Sequence, residues 1–110
     1  MKTNETKKIT NNLDDLMASV CKVSGFQKDT LLSSARFKEI AEFRMMFYYL
    51  AVKLLGARLD EISAFTGRTP ATVLSGYRRI SDLLMYYDVK SKVKMIKYDF
   101  LSSHPTGVER

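Results

Sequence analysis

The sequence predicts an all-α fold, a compact helical domain that contains a helix-turn-helix. Apolar residues recur at three- and four-residue spacing in segment after segment. The breaks between segments are helix stops and starts: Ser24-Gly25, Gly56, Thr66-Gly67 and Thr69-Pro70. With 45% apolar residues, five glycines and two prolines in 110 residues, the composition suits one globular core rather than a disordered or fibrous chain.

Residues 1–10 (MKTNETKKIT) carry one apolar side chain after Met1 and read as a disordered tail, ahead of a helical domain over residues 11–101. From Asn11 or Asn12 as cap, Leu13, Leu16, Met17, Val20 and Val23 trace a first amphipathic helix. Cys21 lies beside that stripe and reads as packing. Asp29 can cap a short turn carrying Leu31 and Leu32, and Ser33-Ser34-Ala35-Arg36 makes a small-residue, basic approach to the next helix.

Phe37 to Leu55 is the longest helical stretch, and its dense apolar content, with Ile40, Ala41, Met45, Phe47, Tyr48, Ala51, Val52, Leu54 and Leu55, places it at the centre of the core. Gly56 supplies a left-handed stop. Leu59, Ile62 and Phe65 share one face of a two-turn helix ended by Thr66-Gly67. Thr69 then caps a further helix, with Pro70 at its first position, where a missing N–H costs nothing. Along it Val73, Tyr77, Ile80 and Leu84 form an inner face, leaving Ala71, Ser75, Arg78, Arg79 and Asp82 outward. Val93, Ile96 and Phe100 beside Lys90, Lys92, Lys94 and Lys97 give a basic amphipathic helix over Val89–Leu101, and residues 102–110 read as a second disordered tail.

Eighteen Lys and Arg against twelve Asp and Glu leave a charge of +6, which suits a polyanionic partner. Arg68, Arg78 and Arg79 cluster at the helix capped by Thr69, while Arg36, Lys38 and Arg44 flank the start of the long helix, so two basic rims could straddle a phosphate backbone. A short helix, a glycine turn and a well-capped second helix with a polar, basic outer face have the layout of a helix-turn-helix.

Other function classes find little support. The sole histidine, His104, falls in the C-terminal tail, and Cys21 has no base partner in view. Asp14-Asp15 and Asp60-Glu61 are adjacent pairs that do not converge, so no enzyme is expected. No Cys/His cluster suggests a metal, no phosphate-binding glycine loop suggests ATPase activity, and no cofactor is implied. Without a signal-like or membrane-spanning apolar run, the expected location is cytoplasmic, away from membranes. RNA or anionic-membrane binding through the lysine-rich last helix ranks last.

The stretch from Leu31 to Leu84 resembles, without a gap, the C-terminal DNA-binding domain of the bacterial replication initiator DnaA. The shared features are Leu31-Leu32-Ser33 before a basic loop, an arginine opening the long helix, Leu59 and Ile62 in the short helix, and Gly67-Arg68 with Thr72-Val73 around the start of the second helix. The resemblance implies a recognition helix beginning near Thr69 in the major groove and a loop arginine, at Arg44, in the minor groove. It places Arg36 and Lys38 on phosphates, and implies loop and a short turn over residues 37–43.

Two departures stand out. The family's Arg-Pro-Arg-Gln at the loop end is Glu42-Phe43-Arg44-Met45 here, and its Asp-His-Thr after the recognition-helix arginine is Thr69-Pro70-Ala71. Pro70 and Ala71 offer no side-chain hydrogen bond, and Thr69 is engaged as a cap, which leaves Thr72, Ser75 and Arg79 as base readers. The expectation is a stand-alone double-stranded DNA-binding protein, a replication accessory factor or a transcription regulator, without ATPase activity. The alternative is a protein-interaction module on the same fold, pairing with a replication protein or with itself.

Overall fold

The structure, a computed structural model, describes residues 2–34 and 37–103, with side chains from residue 12 onward. The described chain is helical without strands: α1 (Lys2–Ser24), α2 (Lys28–Leu32), α3 (Lys38–Leu55), α4 (Leu59–Thr66), α5 (Pro70–Leu83) and α6 (Tyr87–Ser103). The all-α reading and the helix-turn-helix, α4 with α5, are therefore correct.

α3 is the axis of the fold and touches each of the other helices. Its buried residues, Ile40, Phe43, Met46, Phe47, Tyr48, Leu50 and Ala51, wrap much of its circumference, as a helix packed from several sides requires. Leu13, Leu16, Met17 and Val20 of α1 and Val89, Val93, Ile96 and Phe100 of α6 close one side of the core. The Lys22–Asp99 ion pair at 3.3 Å joins these two helices at the surface. Cys21 is half-buried, and burial raises its thiol pKa above the ordinary value, which agrees with a packing role.

Two boundaries differ from the sequence expectation. α1 begins at Lys2 rather than at an Asn11 or Asn12 cap, so the backbone of the expected tail is helical. No Gly or Pro interrupts residues 2–12, and a helix anchored by the Leu13–Val20 stripe can propagate back through them. Residues 104–110, most of the second expected tail, lie outside the described residues, and Ser102 and Ser103 belong to α6.

α3 starts at Lys38 with Phe37 as its cap residue, one position from the boundary that the apolar pattern predicts. The loop and short turn that the resemblance implies over residues 37–43 are replaced by helix. Ile40 and Phe43 are 7% and 3% exposed, and burying them on one side needs helical backbone from the first turn. At the other end Gly56 adopts φ 67°, its N–H donating to the Val52 carbonyl at 3.1 Å while Ala57 N–H donates to Ala51 at 3.0 Å. The predicted left-handed stop is thus a Schellman-type closure.

α5 packs chiefly on α3, and the crossing is close. Gly76 is buried in the middle of α5, where a Cβ would lie 2.6 Å from Tyr48 Cδ2 and 2.9 Å from Met45 Cγ. Val73 and Ile80 fill the core on either side, and the Tyr77 ring stacks on Tyr49 with centroids 5.5 Å apart. α5 is therefore seated by its inner face.

Candidate nucleic-acid interface

The turn between α4 and α5 is built from side chains as well as backbone. Gly67 takes φ 78° and donates its N–H to the Ser63 carbonyl at 2.8 Å. Thr66 is 8% exposed; its hydroxyl donates to the Ile62 carbonyl at 2.8 Å and accepts from Arg68 N–H at 3.3 Å. A glycine at position 66 could make neither bond. Ser63 Oγ donates to the Arg68 carbonyl, so two side-chain bonds, one from Ser63 and one to Thr66, tie α4 to the turn that leads into α5. At the start of α4 the Glu61 carboxylate accepts from Arg58 N–H at 2.8 Å, the half of a capping box open to a cap residue whose side chain has no acceptor.

α5 opens as the sequence predicts. Thr69 Oγ1 accepts from Thr72 N–H at 3.2 Å and donates to Thr72 Oγ1 at 3.0 Å, and Pro70 occupies the first helical position. Both hydroxyls are thus engaged with each other. Ala71, Thr72, Ser75, Arg78, Arg79 and Asp82 are all exposed, so the predicted outer face is outward in the fold. Arg78 and Arg79 have no ion-pair partner among the described residues.

The basic residues ahead of α5 are arranged differently from the expectation. Arg36 lies outside the described residues. Lys38 is exposed, but as the first residue of α3 rather than in a loop. Arg44 sits in the second turn of α3 and is turned toward the end of α2: Nε donates to the Leu31 carbonyl at 2.6 Å and Nη2 to Ser33 at 2.8 Å. Arg68 reaches the same place from the turn, its Nη2 donating to the carbonyls of Leu32, at 3.2 Å, and Ser33. A five-residue helix leaves its last carbonyls unpaired, and two guanidinium groups satisfy them. Of the arginines expected as DNA contacts, Arg44 thus ties the end of α2 to α3 and Arg68 ties it to the turn of the helix-turn-helix.

Tyr48, which the sequence marks only as core, belongs to this cluster. It is 1% exposed, its hydroxyl has no hydrogen-bond partner among the described residues, and it feels both guanidinium charges. Burial raises its pKa above the ordinary phenol value, against the lowering effect of Arg68 and Arg44. Burial likewise lowers the Arg44 pKa, and the adjacent Arg68 charge adds to that. The one hint in the sequence is the four-residue step from Arg44 to Tyr48, which places them on one face of α3.

A second surface lies elsewhere on α3. Tyr49, Leu50 and Leu54, with Leu84 and Val93, line a groove of about 410 Å³ bordered by Lys53, Lys90, Lys94 and Lys97. Met85, Tyr86, Tyr87, Met95 and Tyr98 are exposed on the turn before α6 and along it. No group of three or more His, Cys, Asp or Glu among the described residues could hold a metal ion, and no described helix is long and apolar enough to cross a membrane.

A family model described as the bacterial DnaA protein helix-turn-helix matches residues 13–80. The match begins in the second half of α1, takes in α2, α3 and α4 and ends within α5, so it starts ahead of the stretch from Leu31 that carries the resemblance. No curated protein matches the chain.

Proposed function

Because the chain belongs to the bacterial DnaA helix-turn-helix family, whose module is a DNA-binding one, we propose that it binds double-stranded DNA with the outer face of α5 in the major groove. The observation that carries this reading is the exposed row Ala71, Thr72, Ser75, Arg78 and Arg79 on a helix whose opposite face is locked to α3. Thr72, Ser75 and Arg79 are the candidate base readers. Arg78 and Lys38 are candidate phosphate contacts, and so is Arg36, which lies outside the described residues.

Arg44 and Arg68 act here by positioning. Their bonds to the Leu31, Leu32 and Ser33 carbonyls support a role in holding the end of α2 to α3 and to the α4–α5 turn, in place of the minor-groove insertion that the resemblance implies for Arg44. Thr69 serves as the cap, and its contact with DNA is through its methyl group. With Pro70 and Ala71 beside it, the site read differs from that of family members bearing Asp-His-Thr at these positions. The activity proposed is binding without catalysis, in a replication accessory or regulatory role.

The test is anisotropy with a random duplex pool over a salt series, followed by rounds of selection and sequencing. An enriched motif and binding that weakens steeply with salt are expected, because phosphate contacts release counterions. Absence of binding at low salt overturns the proposal and favours a second reading, a protein-interaction module. The exposed Met85, Tyr86 and Tyr87 and the lysine-bordered groove support that reading, with self-association in sedimentation as its signature.

A further inference from the structure

The groove of about 410 Å³ between α3, the end of α5 and α6 shares no residue with the outer face of α5. We propose that it docks a helical segment of a protein partner, amphipathic and acidic, whose apolar side chains enter the groove while its carboxylates meet the lysines of α6. The inference does not rest on the DNA-binding reading and names a partner chemistry for a surface that reading leaves unused.

Charge and polarity together select the occupant. The floor is Leu50, Leu54, Leu84 and Val93, and no carboxylate lines the groove. None of the bordering lysines, Lys53, Lys90, Lys94 and Lys97, has an ion-pair partner among the described residues. Lys53 Nζ stands 5.9 Å from the centroid of the Tyr77 ring, which stacks on Tyr49 in the groove wall, so aromatic faces position that charge at the rim. The rim is complementary to an acidic group and the floor to an apolar one. DNA meets only half of this: a phosphate finds no donor on the floor and leaves its apolar surface uncovered.

The layout of α6 fits a helical occupant. Lys90, Lys94 and Lys97 follow one another at four and three residues, about 6 and 4.5 Å along the axis, so a helix laid beside α6 meets them with carboxylates at i, i+4 and i+7. Tyr87 and Met95 are 83% and 54% exposed and line a second groove that shares Lys90 and Lys94, so apolar surface continues past the lysine row. A bilayer is flat and would not follow the concave floor, and the main apolar stripe of α6, Val89, Val93, Ile96 and Phe100, is already buried in the core. A second copy lacks the acidic row: nowhere in this sequence do three carboxylates stand at i, i+3 or i+4, and i+7, and the chain carries a charge of +6.

The test is selection of a displayed library of helical peptides, about 15 residues long and randomised at apolar and charged positions, against the full chain. Enriched peptides are then labelled and titrated by anisotropy. Expected are a consensus that sets an apolar stripe beside carboxylates at helical spacing, and resonance shifts at Leu54, Leu84 and Val93. The Lys90→Gln, Lys94→Gln double variant should weaken peptide binding about fivefold or more. It changes only exposed side chains, so the unfolding midpoint and the salt slope on duplex DNA should stay at the parent's values. A slope lower by about 2 would assign these lysines to DNA and overturn the proposal. So would a library that enriches no acidic peptide, or an acidic peptide whose affinity ignores the double variant. Self-association lost in that variant would make the occupant a second copy, and phosphatidylglycerol vesicles bound in place of any peptide would make it a membrane; either overturns the proposal. A parent that binds an acidic peptide but no duplex supports the docking site and overturns the DNA-binding reading alone, and the converse result does the reverse.

Discussion

Gly76→Ala is the sharpest test of how α5 is held. The added methyl would start 2.6 Å from Tyr48 Cδ2, 3.0 Å from Tyr48 Cε2 and 2.9 Å from Met45 Cγ, where carbon contacts settle at about 3.5–4.0 Å. Something must retreat by about 1 Å. Met45 is half-buried and can swing, whereas Tyr48 is 1% exposed and packs edge-on against Phe47 at 6.4 Å. The strain therefore falls on the ring and on the spacing of α3 and α5. Overpacking of this kind costs about 1–3 kcal/mol, and replacing a mid-helix glycine by alanine returns about 1 kcal/mol. The net expectation is destabilisation by about 1 kcal/mol, a fall of about 4 °C in the unfolding midpoint. Urea and thermal unfolding followed by circular dichroism measure it. In a Tyr48→Leu background the same substitution should cost at least about 0.5 kcal/mol less, since contacting residues couple. Gly76→Ala at or above the parent's stability would refute the reasoning, because propensity would then outweigh a contact that is looser than described.

Other perturbations follow from the same geometry. Arg44→Ala leaves the Leu31 and Ser33 carbonyls without that donor and should cost about 1–3 kcal/mol, with faster amide exchange in α2; an unchanged midpoint would remove the positioning role. Thr69→Ala deletes the cap of α5 and should cost about 1 kcal/mol in urea unfolding, while Thr69→Asn, another good cap, should hold near the parent. The Arg78→Ala, Arg79→Ala double variant should unfold as the parent does, and if both side chains meet phosphates the slope of log Kd against log salt falls by about 2; an unchanged slope would take both off the interface. Because the Tyr48 phenol's pKa is raised in the folded state, the unfolded chain ionises first. That stability is present below about pH 10 and is lost as pH rises past it. The unfolding free energy of Tyr48→Phe minus that of the parent should accordingly grow above pH 10, and a flat difference would contradict the burial argument.

The sequence was most legible where one residue type performs one local task. Gly56 and Gly67 mark left-handed stops, Thr69-Pro70 marks a helix start, and the apolar stripe of α3 locates its beginning better than the family resemblance does. The outer face of α5 followed from helical periodicity alone, and all of it is exposed. What periodicity could not give is the direction of a long side chain that has two possible partners. Arg44 sits one turn from Tyr48 and Ile40, at the margin of the buried face, and only the tertiary position of the α2 carbonyls turns it inward. Gly76 was silent for a related reason: a glycine inside a helical pattern signals a close approach only once the residue opposite is known, and Tyr48 is distant in sequence. Phe43, Met46 and Leu50 were passed over within a segment so apolar that no single stripe stands out.

The division of labour along α5 has a bearing on how such a domain can change. Its inner row of Val73, Gly76 and Ile80 and its tether to α4 through Thr66 and Ser63 are all settled without Ala71, Ser75, Arg78, Arg79 or Asp82. Replacements in that outer set disturb no core contact and no cap, so drift there is free of the folding constraint that binds the rest of the helix. The domain can diverge in what it recognises faster than in what it is, and the same five positions form a natural set to randomise when selecting new specificities on this scaffold.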